Sequence, residues 1–270
     1  MERLRSWGLQ VRFGTHALGG LDRLPYLSAD DQTRARDFTD AWTDPGTAAV
    51  WAARGGYGAQ RMVDLLDFDL LRSAGPRHLI GFSDITALHS RIGRELGQVT
   101  LHGPGVGSLT QLDDAPSVEQ LRALLMQPPS PGAVLCSGAS MVDGDDAGLL
   151  AGGNLSLLAA DVGVEPAPSA PTVAVLEDVG EQGYRVDRML TQLLRSGWFT
   201  SVVGVVVGEF TASLDESLVE RVVADRLGGL GLPVVRVAGI GHGPRNLPLP
   251  LGAMVRLQAG PESGTLSLVG

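Results

Sequence analysis

Residues 77–90, RHLIGFSDITALHS, contain the strand-to-helix junction on which the fold assignment depends. The run HLIG has the apolar character of a short buried strand, and the stretch from Asp84 onward has the apolar spacing of an amphipathic helix. Gly81-Phe82-Ser83 connects the two. A strand that leads directly into a helix is half of a βαβ unit, so this segment predicts a parallel sheet covered by helices.

Strand-like runs and amphipathic stretches alternate throughout the N-terminal part of the chain. In order they are LQVRFG, SADDQTRARDFTDAW, AAVWAA, AQRMVDLLD, RHLIGFS, DITALHSRIGREL and QVTLHGP. Ser28, with Asp31 three residues later, predicts the start of the first helix in this series, and Gly97 predicts the end of the last one. The pattern predicts an N-terminal α/β domain over residues 1–112.

The composition changes over residues 113–147, which include the stretches MQPPSPG and DGDDAG and are predicted to be a linker. Residues 148–270 then resume the strand and helix pattern with GGNLSLLAADVG, TVAVLED, YRVDRMLTQLLRSGWF and SVVGVVVGEF. The tail has short strands interrupted by Pro and Gly, which favours antiparallel pairing or a small barrel-like layer. We therefore expect a second, mixed α/β domain.

Composition narrows the classes of function. The 270 residues are 44% apolar and 19% charged, which is typical of a globular chain of one or two domains. The net charge of −9, without a basic stripe, argues against nucleic acid as a partner. No apolar run or signal peptide predicts a membrane association, so we expect a cytoplasmic protein. The single Cys136 predicts a small buried residue without a disulfide.

Ser83 is the first candidate for chemistry. At the carboxyl end of a parallel strand its Oγ would be exposed, and the backbone N–H of Asp84 could stabilise an oxyanion. The plain alternative is that Ser83 or Asp84 only caps the helix. Nearby, residues 53–58 (ARGGYG) form a glycine turn after the strand AAVWAA, which could be a simple turn or a phosphate cradle. The GxGxxG spacing of a dinucleotide loop is absent from it.

Carboxylates and a histidine in the second half of the chain complete the candidates. Glu177, Asp178 and Glu181 lie at the end of TVAVLED, where they could orient a histidine or form a solvated acidic face. His242 lies in the loop GHGPRN between glycines, which leaves its ring accessible, although a surface histidine would look the same. His102, in LHGPG, could line the same cleft. No histidine has metal-ligand spacing with another, so no metal site is predicted.

The chain order Ser, Glu, His supplies the three groups that nucleophilic catalysis needs: an activated hydroxyl, a base of near-neutral pKa and a carboxylate that fixes its tautomer. Acyl transfer is therefore the leading class. The same order occurs in α/β-hydrolases, but their elbow is GxSxG, and here Ile85 stands two residues after Ser83.

Six segments together resemble the successive signatures of the LD-carboxypeptidase family, which includes muropeptide LD-carboxypeptidases and microcin-immunity peptidases. They are ARGGYGAQRMVDLLD, IGFSDITALH, LHGPG, AGGNLSLLA, LEDVGEQGYRVDRMLTQLLRSG and GIGHGPRNLPLPLG. The resemblance extends from about Leu9 to Leu257. It implies that Ser83 is the nucleophile, Glu177 the triad carboxylate and His242 the base. It further implies an oxyanion hole formed by backbone N–H groups of Gly55, Gly56 and Asp84.

The resemblance also implies an architecture and a substrate. We expect a Rossmann- or flavodoxin-like N-terminal domain without the family's usual first strand, a C-terminal domain with a barrel-like layer, an active site between them, and a homodimer. The implied substrate is a murein tetrapeptide that loses its C-terminal D-amino acid, with no cofactor. Candidate substrate contacts are Arg54, His102, Asn154 and Arg245. Two alternatives remain: cleavage of an aminoacyl-adenylate analogue, as in microcin immunity, and a non-catalytic α/β protein that binds a small anion.

Overall fold

The computed structural model describes residues 2–127 and 129–269. The α-helices are α1 (Glu2–Ser6), α2 (Asp31–Thr43), α3 (Ala59–Val63), α4 (Phe68–Ser73), α5 (Thr86–Leu96), α6 (Leu109–Asp113), α7 (Ala115–Met126), α8 (Leu155–Ala160), α9 (Gly183–Arg195) and α10 (Glu216–Gly228). Short 3₁₀ helices cover Ser83–Ile85 and Trp198–Ser201. The strands are β1 (Ala49–Trp51), β2 (His78–Gly81), β3 (Thr100–His102), β4 (Val134–Val142), β5 (Gly144–Asn154), β6 (Thr172–Val179), β7 (Val202–Thr211), β8 (Val234–Arg236), β9 (Leu249–Leu251), β10 (Met254–Ala259) and β11 (Gly264–Leu268).

The first sheet confirms the predicted parallel architecture. Its order is β1-β2-β3-β9, with β1, β2 and β3 mutually parallel. The fourth strand, β9, comes from near the end of the chain and pairs antiparallel with β3. Because β9 returns to this sheet, the C-terminal region is tied directly to the N-terminal one.

The second sheet is a closed barrel of seven strands in the order β10-β11-β4-β8-β7-β6-β5. Strands β5 to β8 run parallel, with β6 and β7 between β5 and β8, and the remaining pairings are antiparallel. Valines of β6 to β8 and leucines of β10 and β11 fill the interior, while α8, α9 and α10 cover the parallel strands outside. The mixed α/β prediction with a barrel-like layer is thus confirmed.

The segment predicted as a linker, residues 113–147, contains regular structure. It includes α7 and the strand β4, which pairs with β8 and β11 to close the barrel. The linker prediction rested on the flanking stretches MQPPSPG and DGDDAG, and the strand LCSGASMV lies between them. Small side chains suit a barrel strand, since Gly138 approaches the backbone of Arg236 too closely for any Cβ. The domain boundaries at 112 and 148 stay a prediction.

Three local predictions can be compared with the structure. Gly97 ends α5 in the left-handed conformation, with φ of 63°, as predicted. Helix α2 begins at Asp31, but the residue that caps it is Asp30, whose carboxylate accepts a hydrogen bond from the Thr33 N–H at 2.7 Å; Ser28 has no such role. In residues 2–48 the structure contains helices and no strand, so the predicted strand LQVRFG is wrong.

Cys136 is buried, as predicted, and burial raises the pKa of its thiol to about 12. Within residues 2–127 and 129–269, no helix combines the length and apolarity that a membrane span requires.

Candidate active site

Ser83 lies at the carboxyl end of β2, where the strand turns sharply into α5. Its φ of 64° is in the left-handed region, which non-glycine residues rarely adopt. Phe82, not Ser83, is the residue that precedes the 3₁₀ turn as its N-cap, and it makes no side-chain capping bond. The cap alternative therefore does not describe Ser83, and backbone strain of this kind is a feature that clusters at functional sites.

The glycine turn packs directly against Ser83. A Cβ placed on Gly55 would lie 2.8 Å from the Ser83 Cβ and 3.1 Å from its Oγ, so only glycine leaves room for the hydroxyl. The Asp84 carboxylate accepts a hydrogen bond from the Ala59 N–H at 2.8 Å and thereby ties the end of the turn to the elbow. Burial raises the pKa of Asp84, although N–H groups of Ala59 and Gly58 partly offset that effect.

Glu177 and His242 form the second half of the site. Glu177 is fully buried, and its Oε2 lies 2.7 Å from Nδ1 of His242, whose side chain is 16% exposed. A carboxylate at this distance holds the proton on Nδ1 and leaves Nε2 as the acceptor. The acidic-face and surface-histidine alternatives are both excluded by this burial and by this bond.

Strand geometry places Glu177 at the mouth of the barrel. Val173 and Val175 point into the barrel interior, and alternation along β6 aims Glu177 the same way. Regular pairing of β6 with β7 is interrupted between Leu176 and Asp178, so Glu177 lies at a bulge, a device that re-aims side chains at active sites. Gly241, with φ of 119°, leaves space for the carboxylate: a Cβ there would be 2.8 Å from Oε2.

Asp178, the next residue, points away from His242 towards the start of α8. It accepts hydrogen bonds from the Asn154 amide at 3.0 Å and the Ser156 N–H at 2.9 Å. Burial, together with the adjacent Glu177, raises the pKa of Asp178 to about 6, although three hydrogen bonds act against this. Sequence reasoning grouped Asp178 with the acidic cluster and did not separate its role from that of Glu177.

The two halves of the site face one another. The ring of Phe82, beside Ser83, lies 4.8 Å from the His242 ring between centroids. Within the described residues, no hydrogen bond joins Ser83 to His242. Catalytic hydrogen bonds are often long in the absence of substrate. A direct link between the halves is provided by Thr86, whose Oγ1 accepts a hydrogen bond from the Asn154 N–H at 3.0 Å.

The four predicted substrate contacts have different surroundings. Arg54 is exposed beside the glycine turn, where its Nε donates to the Gly55 carbonyl at 3.3 Å. Arg245 pairs with Asp114 at 3.2 Å and its side chain is 47% exposed, so a substrate contact by Arg245 stays a prediction.

His102 and Asn154 are buried instead of lining an open cleft. The His102 ring is completely buried beneath Phe82, and burial, with His89 and His242 nearby, lowers its pKa to about 3. The Asn154 amide is 2% exposed and caps α8 through the Leu157 N–H. Substrate contacts by these two residues stay a prediction, and each contact would require the side chain to become exposed to the cleft.

Gln111 is a residue that sequence reasoning missed. Its amide donates 2.9 Å hydrogen bonds to the carbonyls of Gly241 and Gly243, on either side of His242. The two partners lie 130 residues or more away in the chain, so no local pattern predicts the contact. Within the described ranges, no three His, Cys, Asp or Glu side chains gather as metal ligands.

Known proteins share this architecture and sequence. Residues 1–103 match the LD-carboxypeptidase N-terminal domain family, and residues 147–257 match the LD-carboxypeptidase C-terminal domain family. A putative carboxypeptidase of Streptomyces coelicolor is 45% identical over 99% of this chain and 86% of its own length. The murein tetrapeptide carboxypeptidase of Pseudomonas aeruginosa is 32% identical over 96% of this chain and 87% of its own length.

Solved structures of other proteins share this fold. The muramoyltetrapeptide carboxypeptidase of Oxalobacter formigenes superimposes with a TM-score of 0.85 at 28% identity, covering 100% of this chain and 92% of that one. A MccF-like protein of Bacillus anthracis gives a TM-score of 0.86 at 23% identity, covering 99% and 89%, and shares the fold. With both halves of the sequence matched and the whole fold shared, this chain belongs to the LD-carboxypeptidase family of serine-type carboxypeptidases.

Proposed function

We propose that this enzyme hydrolyses the amide bond before the C-terminal D-amino acid of a murein tetrapeptide, with Ser83 as nucleophile, His242 as general base and Glu177 as the carboxylate that orients it. The observation that supports this most strongly is the 2.7 Å contact between His242 Nδ1 and the fully buried Glu177. A buried carboxylate needs a compensating partner, and here that partner is the ring of a loop histidine that is 16% exposed.

In the proposed reaction, Ser83 Oγ attacks the carbonyl carbon while His242 Nε2 takes its proton. The tetrahedral oxyanion accepts hydrogen bonds from the Asp84 N–H and from that of Gly55 or Gly56. Its collapse breaks the C–N bond, and His242 returns the proton to the departing amine of the D-amino acid. Water, deprotonated by His242, then attacks the ester carbonyl, and His242 returns that proton to Ser83 Oγ as the C–O bond breaks and the shortened peptide leaves.

Support for the substrate class comes from relatives and from charge. The Pseudomonas aeruginosa and Oxalobacter formigenes proteins are named for murein tetrapeptide and muramoyltetrapeptide. A C-terminal D-amino acid carries a free carboxylate, and the exposed Arg54 guanidinium beside the glycine turn is suited to bind it. The net charge of −9 makes such a local cation more important for an anionic ligand.

The test uses two peptides that differ at one stereocentre. Purified enzyme is incubated with the murein tetrapeptide ending in D-Ala and with its epimer ending in L-Ala, and released alanine is measured by mass spectrometry. We expect release from the first only. Equal release from both would contradict the proposed specificity, and release from neither would contradict the proposed substrate.

The microcin-immunity alternative shares the fold and the same candidate residues. It would require an aromatic ring beside the cleft to stack on a nucleobase. All four tryptophans pack into hydrophobic clusters: Trp7, Trp42, Trp51 and Trp198. The tryptophans do not supply such a ring, whereas the exposed Tyr57 lies in the glycine turn. The names of the relatives favour the murein substrate, and hydrolysis of an aminoacyl-sulfamoyl adenosine, but not of the tetrapeptide, would reverse this preference.

The non-catalytic alternative is a protein that holds a small anion in the glycine turn. It gives no reason for the strained Ser83 or for the buried Glu177 paired with His242. Binding of inorganic phosphate that is unchanged by Ser83→Ala, together with absence of peptide hydrolysis, would support it. We expect instead that the protein hydrolyses the peptide and that Ser83→Ala changes its binding of phosphate.

Assembly and location belong to the same proposal. We propose a homodimer in the cytoplasm, on the strength of the family resemblance. Sedimentation equilibrium of the purified protein should give a mass near twice 28.2 kDa, and fractionation of the producing cells should place it with cytoplasmic markers. A monomeric mass or an extracytoplasmic location would contradict the respective part.

A further inference from the structure

Four polar side chains at every third position of the segment between the two sheets contact one loop. We name residues 109–126, which comprise α6 and α7, the connector, and residues 237–248 the His242 loop. The contacts from the connector are made by Gln111, Asp114, Ser117 and Gln120. Gln111 belongs to α6, Asp114 is the extended residue between the two helices, and Ser117 and Gln120 belong to α7, so both helices and their junction present polar groups to this loop.

Gln111 makes the contact nearest to the proposed base. Its Nε2 donates to the carbonyl oxygens of Gly241 and Gly243, each at 2.9 Å, and the residue is 5% exposed. Those carbonyls belong to the residues immediately before and after His242. One buried amide group therefore fixes the peptide units on both sides of the imidazole.

The remaining contacts hold the loop further along. Ser117 Oγ accepts a hydrogen bond from the Asn246 N–H at 3.1 Å, and the Asn246 Oδ1 accepts one from the Gly241 N–H at 3.0 Å. Asp114 pairs with Arg245 at 3.2 Å, and Gln120 donates to the Pro248 carbonyl at 2.7 Å. The loop is therefore held by the connector from one side and by Glu177 from the other.

Backbone hydrogen bonds hold the ends of the loop, from the Leu247 N–H to the Gly239 carbonyl at 2.6 Å and from the Glu209 N–H to the Ile240 carbonyl at 2.8 Å, but within the described part of the chain residues 242–246 make none. The loop has no regular helix or strand around His242, and Gly239, Gly241 and Gly243 give it large conformational freedom. Glu177 bonds a single ring nitrogen and so restrains the position of that atom, but not the rotation of the loop about it. Two hydrogen bonds to flanking carbonyls supply the missing restraint.

We infer that Gln111 is a positioning residue for His242, acting through the Gly241 and Gly243 carbonyls to aim Nε2 at Ser83. The inference rests on the proposed roles of Ser83 and His242, and does not depend on the identity of the peptide substrate. Its consequence is that the connector joining the first sheet to the barrel also completes the active site. A misplacement of the base by about 1 Å can cost two orders of magnitude in rate.

The experiment compares Gln111→Met with Gln98→Met. Methionine keeps the length and helical propensity of glutamine but cannot donate. Gln98 is a matched control because its Nε2 also donates to a backbone carbonyl, that of Arg77 at 3.2 Å, at the opposite end of the first sheet. Two rates are measured for each variant: covalent labelling of Ser83 by a fluorophosphonate, and turnover of the murein tetrapeptide.

We expect Gln111→Met to label about 10- to 100-fold more slowly than the wild type, with kcat reduced by the same factor and KM nearly unchanged. Gln98→Met should keep both rates. Labelling and kcat of Gln111→Met within twofold of wild type would overturn the inference, as would an equal loss in Gln98→Met. Loss of rate with a proportional rise in KM would also overturn it, because that indicates a substrate contact.

Two further results keep the outcome unambiguous. If Gln111→Met does not fold, Gln111→Leu serves instead, since it is similar in size and has no donor. If the wild type is labelled at Ser83 but does not cleave the tetrapeptide, the proposed substrate fails while the labelling rates still decide the role of Gln111.

Discussion

Gly55 and Ser83 are packed so closely that a Cβ on the glycine would lie 3.1 Å from the serine Oγ. The contact brings the turn after β1 against the elbow after β2, so the carboxyl ends of two neighbouring parallel strands form one surface. Such an edge is where α/β proteins place their ligand sites. The hydroxyl of Ser83 and the free N–H groups of the turn can thus face the same carbonyl.

Gly55→Ala is therefore expected to reduce kcat/KM for the tetrapeptide by at least about 100-fold, because the new methyl group displaces the nucleophile. The backbone of the elbow must also shift, since the new methyl group would lie 2.8 Å from the Ser83 Cβ and 3.2 Å from the Phe82 carbonyl oxygen, so folding of the variant is verified by circular dichroism. Gly93→Ala is the control: it lies within α5 with open space around it and should gain up to about 1 kcal/mol of stability with activity unchanged. Full activity in Gly55→Ala would show that this contact is not part of the site.

Glu177→Gln tests the orienting carboxylate. The substitution keeps the shape but no longer holds the proton on His242 Nδ1, so kcat should fall by roughly 10³- to 10⁴-fold. Glu181→Gln is the matched control, because that carboxylate belongs to the same acidic segment but pairs only loosely with Arg185, at 3.6 Å. Comparable losses in the two variants would indicate a general effect of charge rather than the proposed role.

Arg54→Ala tests the proposed carboxylate contact. Loss of a hydrogen bond to a charged group should raise KM about 10-fold or more while kcat stays close to that of the wild type. Arg195→Ala, at the far end of α9 and exposed, should change neither constant. A fall in kcat without a change in KM would instead place Arg54 at the transition state.

The buried histidines predict the pH dependence of stability. Burial lowers the pKa of His89 to about 4 and that of His102 to about 3. In the unfolded chain both take up a proton below about pH 6.5. Their contribution is therefore complete above pH 6.5 and is lost as the pH falls towards 4, at up to about 1.4 kcal/mol per pH unit for each histidine.

Chemical denaturation between pH 7 and 4 measures this slope. His89→Gln keeps a donor for the Gly81 carbonyl, which the His89 ring contacts at 2.9 Å. It should reduce the slope by the contribution of one histidine, up to about 1.4 kcal/mol per pH unit. An unchanged slope in that variant would assign the acid sensitivity to other groups.

The parts of the fold that depend on neighbouring residues in the chain could be predicted from residue type and spacing. The elbow at Ser83, the glycine that ends α5 and the apolar strands of the barrel each follow from residue type and spacing. LQVRFG failed because alternating apolar residues form a strand only where a sheet offers them a partner. Asp30 replaced Ser28 as a helix cap because the position of the first turn decides which of several capping residues is used.

Candidate residues could be chosen from the sequence where a side chain's own chemistry singles it out, but not where its contacts lie far away in the chain. Ser83, Glu177 and His242 stand in recognisable surroundings. Gln111 has no such signal, since its partners are carbonyls that any sequence would supply. The pairing of Arg245 with Asp114 likewise has no local signal, because the two residues lie 131 positions apart.

The central claim is that Ser83 is the nucleophile of a carboxypeptidase. Its most direct test is the value of kcat/KM for D-Ala release from the murein tetrapeptide in Ser83→Ala, with folding verified by circular dichroism. We predict a loss of at least about 10⁴-fold relative to the wild type. A variant that retains activity within about tenfold of the wild type would contradict the claim and assign the chemistry to another residue.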